Sequence, residues 1–179
     1  PCGMLNSIGL ENPGVEAYLN DKHRRLVDLG ATIIANVYGE TVDEYLCVAD
    51  RLSSPEADGI VGLELNVSCP NVKAGGIVFG ADPDALGELV AAVRQQTDKH
   101  LMVKLTPNVT DVVSLARVAV QAGADSLSAI NTLLGIGVDL ATRRPTLGNI
   151  TGGLSGMAIK PVALRMAWQV ASAVDVPVV

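Results

Sequence analysis

Short apolar runs, each separated from the next by a stretch with helical periodicity, constrain this chain more than any other feature. The runs occupy residues 31–37, 60–67, 101–105, 125–130 and 176–179. Nearly continuous apolar strands that alternate with helices imply a parallel sheet covered on both faces. The intervening segments carry their own signals. Asn12-Pro13 opens a first helix that extends to about residue 29, where Gly30 stops it. Thr41-Val-Asp-Glu44 is a capping box, followed at helical spacing by Val42, Tyr45, Leu46, Ala49 and Leu52. Asp82-Pro83 opens a helix bearing Leu86, Leu89, Val90 and Val93, and Thr110 caps one that ends at Gly123. A long loop then precedes a helix from about Ala158 to Ala173. Leu29-Gly-Ala-Thr32 and Ala122-Gly-Ala-Asp125 both join a helix end to a strand, as short turns do in βα arrays.

Composition narrows the class further. With 49% apolar and 18% charged residues among 179, the chain is no disordered tail, and residues 1–179 read as a single domain. Nineteen acidic residues against thirteen basic ones give a net charge of −6, so a global basic footprint for nucleic acid is missing. No run approaches the ~18 apolar residues of a membrane span. Pro1-Cys2-Gly3 does not begin a secretory signal, and three widely spaced cysteines make no disulfide framework. A cytoplasmic setting is the expectation. Eighteen glycines with only 3% aromatics suggest tight turns around a core of small aliphatics.

Two architectures fit this pattern, a doubly wound sheet and a (β/α)8 TIM barrel. No G-x-G-x-x-G follows the first strand, which weakens the dinucleotide-binding version of the former. Asn36, Asn66, Lys104 and Asn131 stand at the carboxyl ends of successive strands, and barrel active sites collect at that rim. The five strands read here fall short of the eight strands and ~250 residues of a full barrel. The chain starts in what reads as a loop and stops inside a strand, so an incomplete barrel is favoured over an open sheet.

Asn66-Val-Ser-Cys-Pro-Asn71 leaves a buried strand and enters a proline-fixed turn. Cys69 in that position serves as a proton acceptor or a nucleophile, or is a small buried hydrophobe. The flanking amides of Asn66 and Asn71 suit the alternating N–H and C=O edge of a pyrimidine-like ring. Lys104 sits in an apolar strand, where it meets an anion or reaches past the strand end into water. Asn149-Ile-Thr-Gly-Gly-Leu-Ser-Gly156 precedes a helix and offers backbone N–H groups to a phosphate, or is a flexible loop. Asn6-Ser-Ile-Gly-Leu10 and Asn131-Thr132 read as turn residues on their own. Cys2, Cys47, His23 and His100 carry no chemistry in this reading: Cys47 lies among core residues and both histidines are solvated. No His/Cys/Asp spacing suggests a metal.

Taken together, Met4-Leu-Asn-Ser-Ile-Gly-Leu-Glu-Asn-Pro-Gly14, Glu64-Leu-Asn-Val-Ser-Cys-Pro-Asn71, Lys104-Leu-Thr-Pro-Asn108, Ile130-Asn-Thr132, Asn149 to Gly156 and Ile159-Lys-Pro-Val-Ala-Leu164 resemble class 1 dihydroorotate dehydrogenases. The similarity is to the catalytic subunit of the NAD-linked type 1B, in the family's order and over essentially the whole chain. The resemblance implies an FMN-bearing barrel that oxidises dihydroorotate to orotate in pyrimidine biosynthesis. By the same resemblance Cys69 is the base for the C5 proton, and Lys104 stabilises negative charge on the reduced flavin. Asn6, Ser7, Ile8, Gly9, Leu10, Asn66, Asn71, Asn131 and Thr132 cradle the substrate. Asn36, Asn66, Lys104, Ile130 and Gly156 contact FMN. A partner subunit carrying FAD and an iron–sulfur cluster would complete a heterotetramer that passes electrons to NAD.

Met157 and Gly137 depart from the family pattern, and its flavin contacts before Pro1 and beyond Val179 are not present. The pyrimidine-reducing domain of dihydropyrimidine dehydrogenases resembles residues 104–116 equally well. That family's later cysteine, however, is replaced in Gly76-Ile-Val-Phe-Gly80. A non-catalytic barrel fragment is the remaining alternative.

Overall fold

The computed structural model describes residues 2–68 and 79–179. In chain order it contains β1 (Met4–Asn6), α1 (Val15–Ala17), a π-helical turn (Tyr18–His23), α2 (Arg24–Asp28), β2 (Ile33–Val37), α3 (Val42–Ser53), β3 (Ile60–Asn66) and α4 (Pro83–Gln96). It continues with β4 (His100–Leu105), α5 (Val112–Gln121), β5 (Ser126–Ala129), β6 (Leu133–Ile136), β7 (Val138–Asp139), β8 (Arg144–Pro145), β9 (Thr151–Ser155) and α6 (Lys160–Ala171). Strands β2, β3, β4 and β5 form a parallel sheet in that order, with a helix between each strand and the next. The expected last strand is reduced to a parallel bridge between Leu127 and Val178.

Strand periodicity of two gives the sheet two unlike faces. Leu63 and Leu65 of β3, Leu101, Val103 and Leu105 of β4, and Leu127 of β5 are at most 1% exposed. They form one core with Leu86, Leu89, Val90 and Val93 of α4 and Leu115, Ala116 and Ala119 of α5. Toward the carboxyl ends of the strands, the alternate positions carry polar groups on the opposite, inner face, beside Met102. There Asn36 pairs in register with Glu64, and Asn66 with Lys104 and then Ser128.

Local chemistry explains the helix starts. Thr41 Oγ1 accepts a hydrogen bond from Glu44 N, and Asp82 Oδ1 from Ala85 N with Pro83 in the first turn. Asp111, rather than Thr110, caps α5, because its carboxylate reaches both Val113 N and Ser114 N at 3.0 and 3.1 Å. Caps of this kind contribute about 1 kcal/mol each.

Four sequence expectations fail here for physical reasons. The first helix begins at Val15 and is interrupted by the π-helical turn, because Asn12 closes a local turn on Gly14 N instead of starting a helix. That π turn carries Leu19 and His23 inward, so His23 is 4% exposed, with Nε2 2.9 Å from the Asp58 carbonyl oxygen. The long loop is a second sheet: β1, β9 and β6 pair antiparallel in that order, beside a β7–β8 ribbon. Its glycines hid the alternation, and they are required. A Cβ on Gly152 would collide with the Asn6 backbone, and one on Gly153 with the Thr132 side chain. Cys47, placed in the core from sequence, is exposed. No helix among the described residues is long and apolar enough to cross a membrane.

Arg51 of α3 ties three elements together. Its Nε lies 2.5 Å from Glu16 Oε1, its Nη2 lies 3.0 Å from Glu16 Oε2, and its Nη1 contacts Glu56. The hydrogen bond from Arg51, reinforced by its charge, holds the Glu16 carboxyl below its ordinary pKa. A carboxyl depressed in the folded state stabilises the fold above its unfolded pKa of about 4.3 and loses that contribution as pH falls through the lower folded value. Urea unfolding should therefore show the parent losing more stability than Glu16→Gln as the pH drops below about 4. Parallel profiles for the two proteins would remove this ion pair from the acid response.

Candidate functional site

The carboxyl ends of the parallel strands face the antiparallel sheet across a cleft of about 750 Å³. Its walls include Asn6, Ser7, Ile8, Gly9 and Leu10, at and after the end of β1, together with Asn66, Asn131 and Thr132. These expected substrate residues are thus brought together from three separated segments. Cys69 and Asn71 lie outside the described residues.

The cleft floor is built from amides that bind one another. Asn131 Nδ2 donates to Asn66 Oδ1 at 2.9 Å, and Asn131 Oδ1 accepts from Thr132 N at 2.9 Å. Asn131 N donates to the Leu105 carbonyl at 3.0 Å, anchoring the segment to the end of β4. Asn66 is 5% exposed, and its backbone carbonyl accepts from Tyr45 Oη at 2.7 Å. Tyr45, itself 1% exposed, is held edge-on by Phe79. Because both amide oxygens are engaged inside this cluster, the N–H groups of Asn66 and the second N–H of Asn131 remain to meet a ligand. Asn6 differs: its Nδ2 is 3.4 Å from the Gly153 carbonyl oxygen, which leaves its Oδ1 as an acceptor. Among the described lining residues only Glu11 ionises, so the cleft selects by hydrogen bonding more than by charge.

The expected cofactor residues are more dispersed. Lys104 lies half-buried on the inner face between Asn66 and Ser128, and enters none of the ion pairs among the described residues. Asn36 stands on β2, two strands from Lys104, its Nδ2 2.5 Å from Glu64 Oε2. Ile130 is half-buried and packs against the core. The glycine-rich stretch is not a helix-start phosphate loop, because Thr151–Ser155 is the central strand of the antiparallel sheet and pairs on both sides. Gly156, with φ of 94°, turns the chain past Gly3 into the short Met157–Ile159 turn and is not part of the cleft wall.

Sequence reasoning missed Ser68, Thr106, Asn108 and Asn149 as cleft residues. Asn108 pins the opposite wall: its Nδ2 donates to the Thr132 carbonyl at 3.0 Å and its Oδ1 accepts from Leu134 N at 2.9 Å. Its place two residues after Thr106 in a strand-terminal Thr-Pro-Asn was the available signal.

The sequence model of the family described as dihydroorotate dehydrogenase matches residues 1–179. The chain belongs to the dihydroorotate dehydrogenase family. It is 57% identical over 180 residues to "Dihydroorotate dehydrogenase B (NAD(+)), catalytic subunit" of Geotalea uraniireducens (strain Rf4). It is 55% identical over 179 residues to the protein of the same name from Citrifermentans bemidjiense. Each alignment covers 100% of this chain and 58% of the relative, so the chain spans a little over half the length of these family members. A solved structure, titled as ligand-free dihydroorotate dehydrogenase from Eimeria tenella, superposes with a TM-score of 0.65. The superposition covers 98% of this chain and 57% of that one, at 20% identity, and speaks to fold alone. The four parallel strands and their helices are accordingly part of a (β/α)8 barrel, as the sequence pattern predicts.

The Tyr45 hydroxyl holds the backbone on which the floor amides depend. Tyr45→Phe should lower unfolding free energy by about 1 kcal/mol through the lost hydrogen bond to a buried carbonyl. Denaturant titration measures it, and an unchanged midpoint would remove the bond from the site's support.

Proposed function

We propose that this chain supplies the substrate cradle and flavin-facing strands of an FMN-dependent dihydroorotate dehydrogenase of the NAD-linked B type, which oxidises (S)-dihydroorotate to orotate in pyrimidine biosynthesis. One observation carries the reading: the Asn66–Asn131–Thr132 cluster engages both its amide oxygens internally and leaves the Asn66 amide N–H groups and the second N–H of Asn131 uncommitted among the described residues. Dihydroorotate is edged with carbonyl and carboxylate acceptors, and also carries N–H groups that the Asn6 oxygen suits. Ser7, Ile8, Gly9 and Leu10 would close the cradle beside Asn6, and Asn71 would complete it.

FMN would be held by Asn36, Asn66, Lys104, Ile130 and Gly156. The donor set fits such a group. Lys104 presents an ammonium with no ion-pair partner among the described residues, and Asn36 presents an uncommitted amide oxygen, opposite a ring that carries both acceptors and a donor. When bound, FMN supplies the acceptor for the hydride that leaves C6 of dihydroorotate. Cys69 takes the proton from C5 at its Sγ, and the electron pair left on C5 becomes the C5–C6 double bond. Cysteine suits that task as its thiolate, which becomes the thiol on taking the proton, because its ordinary pKa of about 8.5 is near enough to neutrality to be tuned. Lys104 would place its ammonium where FMN gains negative charge.

The relatives' name, catalytic subunit, supports a partner subunit, for which FAD and an iron–sulfur cluster in a cytoplasmic heterotetramer are the proposed equipment. Residues 1–179 act as one unit in this reading. In the flavin-loaded protein, Cys69→Ser should slow bleaching of the flavin bands by dihydroorotate by about 100-fold or more while flavin stays bound, the range expected for loss of a general base. A bleaching rate equal to the parent's removes Cys69 from that role, and a parent that dihydroorotate does not bleach refutes the function.

A further inference from the structure

Glu64 occupies an unusual position on the inner face of the parallel sheet. It is half-buried on β3 and has no lysine or arginine partner among the described residues. Both carboxylate oxygens instead receive neutral donors. Asn36 Nδ2 lies 2.5 Å from Oε2, and Ser128 Oγ lies 2.6 Å from Oε1. These donors belong to β2 and β5, so one side chain links three strands and reaches across β4. Ser128 is in register with Lys104, which places this bond next to the lysine's position on the sheet.

A carboxylate accepts hydrogen bonds and donates none. Facing it, the Asn36 amide has one favourable orientation, with its NH2 toward Glu64 and its Oδ1 away. A charge-assisted bond holds that orientation more firmly than a neutral pair would. No described residue donates to Asn36 Oδ1. The Asn36–Glu64 bond is itself solvent-exposed, so the oxygen is presented outward rather than packed away. A neutral neighbour in place of Glu64 would permit either orientation.

We infer that Glu64 is a positioning residue that locks the Asn36 amide with its oxygen outward, where it accepts a hydrogen bond from an N–H or O–H of the flavin cofactor. The inference rests on the proposed role of Asn36 in binding FMN and adds the residue that sets its polarity. Glu64 does not touch the cofactor in this account; it acts through Asn36.

The test exchanges the polarity of the pair and reads FMN affinity from the quenching of flavin fluorescence on binding. Glu64→Gln should weaken FMN binding about three- to tenfold, within the value of one hydrogen bond. Asn36→Asp alone should weaken it by about tenfold or more, because two carboxylates then face each other. The double variant Asn36→Asp/Glu64→Gln restores the geometry. The amide introduced on β3 donates from its Nε2 to the carboxylate introduced on β2 and still accepts from Ser128, and the second oxygen of that carboxylate again faces outward. It should recover FMN affinity to within about threefold of the parent. A merely structural role would lower thermal stability in each single variant without this pattern of loss and rescue. Parental affinity in Glu64→Gln, or a double variant that binds no better than Glu64→Gln, overturns the inference while leaving the proposed function standing. A parent chain that binds no FMN overturns both.

Discussion

The hydrogen bond from Asn131 to Asn66 is the contact on which the rest of the site depends. It joins the end of β3 to the segment leaving β5 across the intervening end of β4, and so ties together the carboxyl edge of the sheet. With it in place, Asn131 Oδ1 is free to hold Thr132 N, and Thr132 is seated where Gly153 of the antiparallel sheet makes room for it. The hydrogen bond also engages the side-chain oxygen of Asn66, which gives the cleft floor its donor character. A single pair therefore couples strand order, loop position and the polarity presented to a ligand.

That pair stands on a sheet whose two faces do different jobs. Along β3, Leu63 and Leu65 pack against helices while Glu64 and Asn66 occupy the inner face. The packed face carries most of the stabilising burial and holds the strands at fixed register. Polar groups on the inner face can then interact at the ends of neighbouring strands without loosening the fold. A shift of one residue in register would exchange the faces, putting Glu64 into the core and Leu65 into the site, and burial of an unpaired carboxylate forbids it. Tyr45 bridges the two functions: its ring lies in the core between Tyr38 and Phe79, and its hydroxyl reaches the Asn66 carbonyl.

The parallel sheet was legible because strand and helix signals there are local. Capping residues precede α3 and α4, and the apolar runs that become β3 and β4 are long enough to show their type. The cleft residues after β1, β3 and β5 were also legible, through motifs rather than through spacing alone. The antiparallel sheet was not, because Gly135, Gly152 and Gly153 stand at its crossing points and carry no hydrophobic signal. Their need is seen only in the neighbours a Cβ would strike. His23 was misread for a related reason. It lies in a run of charged residues, and only the π-helical turn, which local sequence does not announce, carries it inward to the Asp58 carbonyl. Asn108 was overlooked as a wall residue because its partners, Thr132 and Leu134, are more than twenty residues away.

In a chain of net charge −6, the cleft is lined with neutral amides rather than with a cluster of cations. A cluster of lysines and arginines would attract an anionic ligand but would also bind other anions of similar size. Neutral amides fixed by one another impose direction instead, since each remaining N–H points where its partner bond leaves it. Such a floor admits a ligand whose acceptors match those directions, and the cost of leaving a buried donor unpaired disfavours ligands that lack them. Lys104 adjoins that floor on the inner face, in register with Asn66 of β3 and Ser128 of β5, and forms no ion pair among the described residues. The sheet edge thus presents fixed directional donors and a cation free of ion pairs among the described residues, two different kinds of group.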